Sequence, residues 1–270
     1  MEKPMITVIG SLNMDLVVET NVFPNEGETV LGENFQTKPG GKGANQAVAA
    51  ARLGANVHMI GKVGDDENGH ALLNVLKNEG ISTEMVEKVA HVNTGVANIT
   101  ICNRNNRIIV VPGANNDVTP EYVKQFADKI VESDFVVVQF ETPIETILYV
   151  IDLCKKHNTP IIVNPAPAQE IPVSYWEKVT YITPNESEAA FLFDEEMKAK
   201  LDEKLIITMG DEGVSYVDNN VRKIVPAHSV QVVDTTGAGD TFNGAFAVAL
   251  AEKMDIHTAI KFANAASALS

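Results

Sequence analysis

The sequence predicts an α/β protein built on a doubly wound, mainly parallel sheet, with a small β-sheet projecting from it as a lid. The large sheet is predicted because, from Pro120 onward, short apolar runs alternate with helical segments. Polar or glycine-rich residues follow several of these runs, at the sheet edge where open α/β folds bind ligands. The lid is predicted because the strands within about 14–38 and 94–112 follow one another without helices.

The composition supports one substantial globular domain covering 1–270. The chain has 270 residues, 45% of them hydrophobic, and a formal net charge of −15, which argues against partners such as nucleic acid or an anionic membrane surface. No apolar run is long enough to span a membrane. Cys102 and Cys154 are too few for a disulfide framework and are expected to be buried in a protein of the reducing cytoplasm.

The first half of the chain is expected to supply the lid and the start of the large sheet. Helices are predicted from about 42 to Gly54 and from 67 to Gly80, because each periodic segment is closed by a glycine. Residues 104–106 join two alternating runs and predict a hairpin. Strands are predicted at 5–10, 16–19, 29–36, 57–63, 96–103 and 107–111.

The second half is predicted to alternate strictly between strand and helix. Helices are expected at 120–132 and 143–157 and from about 240 onward. Residues 135–140 form a continuous apolar run, which is typical of a strand buried on both faces. Further strands are expected at 160–163, 181–183, 205–208 and 228–233.

The stretch 234–246 carries the strongest indication of chemistry. Gly237 and Gly239 permit a tight turn and close approach of a ligand, and Asp240 and Thr241 stand where a helix begins. Free backbone N–H groups gather at such a helix start and favour an anion. A carboxylate beside them could take the proton from an alcohol during phosphoryl transfer. A simple turn with an N-cap aspartate explains the same residues equally well.

Two further stretches could bind a sugar. Asn13 and Asp15 stand two apart after a strand, so in extended backbone they share one side, where they could grip vicinal hydroxyls. The pair is also compatible with an Asx turn. Within 39–46, three glycines bring the backbone close to a ligand and Asn45 falls in the first turn of the helix, although a plain capped loop has the same composition.

Three other segments follow predicted strands. Residues 141–143 and 164–168 lie at the carboxyl ends of two strands. Asn185 and Glu188 are three apart at a helix start, a spacing that fits a capping pair as well as a metal or phosphate site. Residues 209–213 form a glycine-containing turn after a strand.

Together these motifs resemble the PfkB-type carbohydrate kinases, and the ribokinase branch of that family most closely. The resembling stretches span nearly the whole chain in the family's order: 10–15, 40–47, 164–168, 184–188 and 234–242. The resemblance implies a ribokinase-like fold, ATP-dependent phosphorylation of ribose at its 5-hydroxyl, ATP, Mg²⁺ and K⁺ as cofactors, and a homodimer formed through the lid.

The resemblance also implies roles for individual positions. Asp240 would be the general base, and the backbone of Gly237, Ala238 and Gly239 would form an anion hole. The residues that would hold the sugar are Asn13, Asp15, Gly41, Lys42, Asn45, Glu141 and Asp240. Those near the nucleotide would be Asn185, Glu188, Thr208, Gly210, Gly213 and Asn264. Glu188 would order water on Mg²⁺, and Asp234 and Thr236 would bind K⁺.

Two other functions stay open at this point. One is a PfkB-type kinase acting on deoxyribose, a nucleoside or a hexose derivative; the other is a catalytically weak sugar- or nucleotide-binding regulator. The spacing between Glu188 and Thr208 is shorter than the family's usual spacing. No stop signal precedes Ser270, so we expect the expressed chain to be longer and its tail to complete the K⁺ site.

Overall fold

The structure is a computed structural model that describes residues 3–103, 105–228 and 237–270. The strands, numbered in chain order, are β1 Met5–Ile9, β2 Asn13–Glu19, β3 Asn34–Gly40, β4 Asn56–Gly64, β5 Ser82–Val89, β6 Gly95–Cys102, β7 Asn105–Val111, β8 Phe135–Gln139, β9 Ile161–Asn164, β10 Tyr181–Ile182, β11 Ile207–Thr208, β12 Val214–Asp218 and β13 Val221–Val225.

The helices pack on both sides of these strands. They are α1 Lys42–Arg52, α2 Glu67–Asn78, α3 Pro120–Lys124, α4 Ala127–Val131, α5 Ile144–His157, α6 Val173–Trp176, α7 Glu186–Leu192, α8 Glu195–Leu201, α9 Ala238–Ala251 and α10 Ile256–Ala268. Short 3₁₀ turns occupy Gly113–Asp117 and Gly210–Glu212. None of the helices within the described ranges combines the length and the apolar character needed to cross a bilayer.

Six strands form the parallel sheet that the alternating pattern predicted, in the order β10-β9-β8-β1-β4-β5. Helices α1, α2, α9 and α10 cover one face, and α3 to α8 cover the other, each with its own apolar core. Strand β8 serves both cores, because Val137 packs on the first side and Val136 and Val138 pack on the second. The doubly wound fold is therefore confirmed.

Strict alternation after Pro120 was wrong at one place, where β12 and β13 form an antiparallel hairpin. Asn219 and Asn220 connect the two strands with φ values of 52° and 60°, the left-handed conformation that Asn tolerates in two-residue turns. Strand β11 pairs with β12, and parallel bridges from Ile182 to Leu205 and from Asn185 to Thr208 join this hairpin to the main sheet.

A separate four-stranded sheet, in the order β3-β2-β6-β7, forms from the two segments expected to supply the lid. Its central pair, β2 and β6, is parallel, and both outer pairs are antiparallel. The register places Asp15 beside Ala97 and Val17 beside Ile99. These side chains share one face because partners in adjacent strands point to the same side.

The strand expected at 29–36 was wrong in position, since β3 covers Asn34–Gly40. Pairing decides this: β2 already begins at Asn13, and its antiparallel register continues from Glu19 opposite Asn34 to Asn13 opposite Gly40. Pro39 is tolerated because β3 is at the edge of the sheet, where a missing N–H breaks no ladder bond.

Smaller differences concern helix continuity and an edge strand. The helix expected over 120–132 is split into α3 and α4, where the N–H of Phe126 bonds to the carbonyl of Val123, three residues earlier. Strand β5 was not predicted, because charged residues interrupt its apolar pattern at the sheet edge. The strand expected at 228–233 lies almost entirely outside the described residues. Both cysteines are buried and free, as expected.

Helices α1 and α9 contact each other closely at Gly244. A Cβ atom at Gly244 would lie 2.6 Å from the carbonyl oxygen of Gln46 and 2.8 Å from Cβ of Ala49. Only glycine leaves room for this approach, so the beginnings of the two helices are held in a fixed relation.

Candidate active site

Polar side chains converge where β1 and β8 end and where α1 and α9 begin. Asp240, in the first turn of α9, is only 8% exposed. Its Oδ2 accepts a hydrogen bond from Nδ2 of Asn45 at 3.0 Å, and its Oδ1 accepts one from Nε2 of Gln46 at 3.0 Å. Both donors belong to α1. The two carboxylate oxygens of Asp240 are therefore oriented by neighbouring amides of one helix.

A buried amide network behind Asp240 holds Gln46 in place. Nε2 of Gln46 also donates to Oδ1 of Asn164 at 3.1 Å, and its Oε1 accepts from Nε2 of Gln139 at 2.7 Å. Asn164 is fixed in turn, because its Nδ2 donates to the carbonyl of Thr183 at 2.8 Å. Sequence reasoning included Gln46 and Asn164 in motifs but gave them no role. The available sign of a role was their position: Gln46 stands at the start of a helix and Asn164 at the end of a buried strand, and both carry an uncharged amide.

A second acidic group lies beside Asp240. Oε2 of Glu141 accepts from Oγ of Ser11 at 2.5 Å, from the backbone N–H of Lys42 at 3.2 Å and from Nδ2 of Asn13 at 3.4 Å. Asn13 is 2% exposed and begins β2, so the strand interpretation holds and the Asx turn does not. Glu141 thus joins the ends of β1 and β8 to the start of α1.

Asp15 completes the group of carboxylates. Burial, together with the negative charges of Glu141 and Asp240, raises the pKa of Asp15 from 3.8 to about 6, and Lys38 acts in the opposite direction. Gly40 makes the close approach possible, since a Cβ there would lie 2.6 Å from Oδ1 of Asp15. A carboxylate in this setting gains from hydrogen-bond donors such as hydroxyl groups.

A cavity of about 570 Å³ lies between the lid and α1 and extends from Asp15 and Asn45 along α1 to Arg52 and to Glu79 of α2. It begins next to the polar cluster, but Asp240 and Glu141 do not line it. Asp15, Asn45 and Thr241 line it on the polar side, and Val17 and Ile99 of the lid line it on the apolar side. Gly41, at φ +92°, brings the backbone to within contact of Asn13, since a Cβ there would lie 2.7 Å from its nitrogen. Hydrogen bonds and close contacts, rather than the lining of this cavity, bring together the positions expected to hold the sugar.

The backbone at the start of α9 is arranged as an anion site would require. Gly237 adopts φ +83° and precedes the first helical residue, so the N–H groups of Ala238 and Gly239 fall among those that a helix leaves unpaired. Oγ of Ser267 donates to the carbonyl of Ala238 at 2.8 Å. Within the described part of the chain, a Cβ at Gly239 would meet no atom within 4 Å.

The residues expected near a nucleotide form two groups. In the first, the N–H of Thr208 donates to the carbonyl of Pro184 at 3.0 Å and Thr208 forms a parallel bridge with Asn185. In the second, Gly213, at φ +105°, approaches the carbonyl of Val225. Nδ2 of Asn264 reaches that same carbonyl at 3.5 Å.

Gly210 and Asn264 are also among the residues expected near a nucleotide. Gly210 adopts φ +56° at the start of the 3₁₀ turn between the two groups. Asn264 is 8% exposed, and its Nδ2 also donates to the carbonyl of Pro226 at 2.9 Å. Both groups lie at the same end of the sheet formed by β11, β12 and β13, because Thr208 pairs with Val214 and Val214 pairs with Val225.

Glu188 links the nucleotide group to the sugar group. It forms a capping box with Asn185, in which each side chain accepts from the other's backbone N–H at 2.8 Å. Burial raises the pKa of Glu188; the charge of Asp240 raises it further, while Lys42 and the Asn185 N–H lower it. Glu188 therefore lies within electrostatic range of both Lys42 and Asp240. The expected K⁺ ligands, Asp234 and Thr236, lie outside the described residues.

Comparison with known proteins agrees with this arrangement. The sequence profile of the pfkB family carbohydrate kinases matches residues 3–270. The chain is 52% identical over 269 residues to the ribokinase of Bacillus subtilis (strain 168), a match covering 98% of this chain and 92% of that protein. It is 48% identical over 270 residues to the ribokinase of Lactococcus lactis subsp. lactis (strain IL1403), covering 98% and 90%.

A solved structure shows the same fold. Arabidopsis thaliana ribokinase, complexed with ribose and ATP, superposes with a TM-score of 0.89 at 31% identity, covering 100% of this chain and 92% of that one. The matched profile spans both the lid strands and the polar cluster around Asp240. This protein belongs to the pfkB family of carbohydrate kinases.

Proposed function

We propose that this protein transfers the γ-phosphoryl group of ATP to the 5-hydroxyl of ribose, giving ribose 5-phosphate and ADP. The observation that carries the proposal is the placement of Asp240. It stands at the start of α9 with both oxygens held by Asn45 and Gln46, beside an anion site and a group of carboxylates. The relatives named ribokinase, at up to 52% identity, support ribose as the sugar. This function would place the protein in the cytoplasm, where ATP is made.

The reaction follows from the two features at the start of α9. Asp240 takes the proton of the 5-hydroxyl as the oxygen attacks the γ-phosphorus, and the bond to the β,γ-bridging oxygen breaks so that ADP leaves. The N–H groups of Ala238 and Gly239, with the positive end of the helix dipole, stabilise the negative charge on the transferring phosphoryl group. Catalysis thus combines one base with preorganised donors.

Sugar binding depends on the carboxylates and amides around the base. Asp15 and Glu141 accept from ribose hydroxyls, and Asn13 and Asn45 donate to them. The backbone at Gly41 and the side chain of Lys42 complete the site. A site built to pair hydroxyl groups rejects sugars that lack one, because its own buried groups are then left without partners.

The nucleotide would lie against Thr208, Gly213 and Asn264, with its phosphates toward Asn185 and Glu188. The described residues contain no group of three or more His, Cys, Asp or Glu side chains that could hold a metal ion directly, so a divalent cation here would depend on water and phosphate oxygens beside the half-buried carboxylate of Glu188. Glu188 would hold Mg²⁺ through water, and the ion, when bound, offsets charge on the phosphate oxygens. K⁺ would be bound by Asp234 and Thr236, which the resemblance to the family supports.

The four-stranded sheet would serve as a lid over ribose, formed by the segments 14–38 and 94–112. Its inner face is apolar where Val17 and Ile99 line the cavity, so closure would exclude water that could accept the phosphoryl group. The cavity between this sheet and α1 leaves room for the sheet to move closer.

The same sheet would form a homodimer. Strand β7 is an edge strand whose apolar side chains are all exposed, Ile109 to 69% and Val111 to 54%. Such an edge is a ready surface for pairing with a second copy. With Ile108 and Val110 exposed on its other face, β7 offers apolar contacts on both sides.

A substrate panel tests the function directly. ADP release is measured with ribose, 2-deoxyribose, fructose and adenosine, each with K⁺ or with Na⁺ as the only monovalent cation, and ³¹P NMR identifies the phosphorylated position. We expect the highest kcat/KM for ribose, phosphate on O5, and stimulation by K⁺. Preference for another substrate would assign a different kinase of the family, and binding without turnover would assign a regulator.

A further inference from the structure

Asn115 contacts the sugar site from behind, although no role has been assigned to it. It lies in the 3₁₀ turn that follows β7 and is 1% exposed. Its Oδ1 accepts from the backbone N–H of Leu12 at 2.9 Å, and its Nδ2 donates to the carbonyl of Leu12 at 3.2 Å. The same Nδ2 donates to Oδ1 of Asn13 at 2.8 Å.

These contacts fix which way two side-chain amides point. A backbone N–H can only donate and a backbone carbonyl can only accept, so Leu12 admits a single orientation of the Asn115 amide. The Nδ2 of Asn115 then faces Asn13, whose Oδ1 must be the atom nearest to it. The Nδ2 of Asn13 is consequently directed toward Oε2 of Glu141, at 3.4 Å. That nitrogen carries two hydrogens, and the second can be donated to a sugar hydroxyl.

Close packing reinforces this arrangement at the base of the lid. A Cβ on Gly95, the first residue of β6, would collide with Oδ1 of Asn13 and Nδ2 of Asn115, and would lie 2.8 Å from the carbonyl of Pro112. A Cβ on Gly113 would lie 3.0 Å from the nitrogen of Gly95. The chain enters or leaves the lid near 13, 95 and 112, and these crossings meet around the Asn115 amide.

We propose that Asn115 is a positioning residue that orients the amide of Asn13 for sugar binding and joins three of the crossings between the lid and the large domain. The proposal rests on the function proposed above, in which Asn13 binds ribose. Asn115 itself need not touch the sugar. Its effect on ribose passes through Asn13.

The variant Asn115→Asp tests this with almost no change in shape. One oxygen of the introduced carboxylate can still accept from the N–H of Leu12, but the other oxygen faces the Leu12 carbonyl and Oδ1 of Asn13. The amide of Asn13 would turn over and direct its oxygen toward Glu141 and the sugar. We expect KM for ribose to rise about 10–100-fold, as for the loss of one buried hydrogen bond. KM for ATP and kcat at saturating ribose should stay within about twofold. Asn74→Asp, the same change on the exposed side of α2, is the control.

A double-mutant cycle separates positioning from a general effect on structure. Asn13→Ala alone should weaken ribose binding, and adding Asn115→Asp should then have little further effect, because the group through which Asn115 acts is gone. If the two effects instead multiply, Asn115 acts independently and the positioning role is wrong. If Asn13→Ala leaves ribose binding unchanged, the proposed sugar role of Asn13 fails and the inference fails with it. If only Asn115→Asp has no effect, the sugar role stands and the inference alone is overturned.

The unmodified protein offers a test that needs no variant to fold. The side-chain amide protons of Asn13 and Asn115 should exchange with solvent much more slowly than those of exposed Asn74, as measured by ¹⁵N NMR of the full chain. Exchange at Asn13 as fast as at Asn74 would contradict an amide held by Asn115.

Asn115→Ser provides a second variant. The shorter side chain cannot make the hydrogen bonds to Leu12 and Asn13, so we expect the same rise in KM for ribose.

Discussion

Asn45 donates its side-chain amide to Oδ2 of Asp240 across 3.0 Å, although 195 positions separate the two residues in the chain. Gln46, the next residue, holds the other oxygen of the same carboxylate. The start of α1, where the proposed function places sugar contacts, and the start of α9, which carries the proposed base, therefore form one hydrogen-bonded unit. The predictions below follow from this unit and from the groups around it.

Replacing Asp240 by Asn should remove the base while keeping its shape. We expect kcat to fall about 10²–10⁴-fold, the usual range for losing general-base help. Ribose affinity, measured by calorimetry, should change much less, because the other sugar contacts remain. Asp128→Asn, at an exposed position of α4, is the matched control. A kcat within tenfold of the unmodified protein would remove Asp240 from the role of base.

Gln46→Glu should disturb the base without touching the sugar directly. A second carboxylate 3.0 Å from Oδ1 of Asp240 would make the pair share a proton, so the base would stay protonated to higher pH. We expect kcat at pH 7 to fall about 10–100-fold and the rising limb of the kcat–pH profile to move to higher pH. Exposed Gln125→Glu should leave the profile unchanged. An unshifted limb in Gln46→Glu would mean that Gln46 does not orient the base.

The raised pKa of Asp15 predicts a pH dependence of ribose use. Because the pKa is about 6, Asp15 loses its negative charge, and with it the ability to accept strongly from hydroxyls, as the pH falls through 6. Since kcat/KM reports groups of the free enzyme, kcat/KM for ribose should rise with pH through about 6 and then level off. The same limb persisting in Asp15→Asn would assign it to another group.

The ionised Asp15 side chain should also lower the stability of the folded protein. Unlike a carboxylate with a lowered pKa, it should destabilise the fold more as the pH rises. Its pKa in the folded protein, about 6, exceeds the ordinary value of 3.8, so the folded protein loses stability as the pH rises from 4 through 6. At pH 8 the free energy of unfolding of Asp15→Asn should therefore exceed that of the unmodified protein by about 1 kcal/mol, after allowing for the partial exposure of Asp15. Denaturant unfolding measures this difference. The difference should vanish below about pH 4. A less stable variant at pH 8 would contradict this account.

Ribose should protect the lid from hydrogen exchange. If the sheet closes over the cavity, backbone amides of β2 and β6 should exchange more slowly when ribose is bound, since these strands carry the residues that face it. The hairpin β12–β13 is the internal reference: a non-hydrolysable ATP analogue should protect it, and ribose should not. Protection by ribose confined to the large domain would show that the sheet does not close.

Disrupting the edge of the lid should dissociate the dimer. We expect the unmodified protein to sediment as the proposed dimer. Ile109→Lys, which places a charge on the most exposed apolar side chain of β7, should sediment as a monomer. Ile224→Lys, on β13, makes the same change at a side chain that is 58% exposed. It should leave the dimer intact. The reverse result would place the interface on β13.

The sequence predicted the parts of the site that depend on local pattern. Asp240 could be found because a carboxylate follows a glycine turn at a helix start, and Asn13 and Asp15 because they follow a strand with a spacing of two. Gln46 and Asn115 could not be found in this way. Their roles arise from hydrogen bonds to residues 93 to 194 positions away, and a buried amide carries no local sign of its partner.

The same limit applies to the fold. Buried strands such as β8 were predictable from their continuous apolar pattern, because burial on both faces favours apolar side chains at successive positions. The position of β3 was not, because its seven residues are mostly exposed and only the register with β2 sets where the strand begins and ends. Edge strands take their limits from their neighbours rather than from their own composition.

Gly244, where α1 and α9 touch, has a consequence for how this protein could change its substrate. Any side chain at position 244 would push α1 and α9 apart and would separate Asn45 from Asp240, whose hydrogen bond joins the starts of the two helices. In the proposed function, a change of substrate would therefore be easier to accommodate at Asp15 of the lid than between these two helices. The contact at Gly244 would keep the proposed base in place while residues of the lid around the sugar diverge.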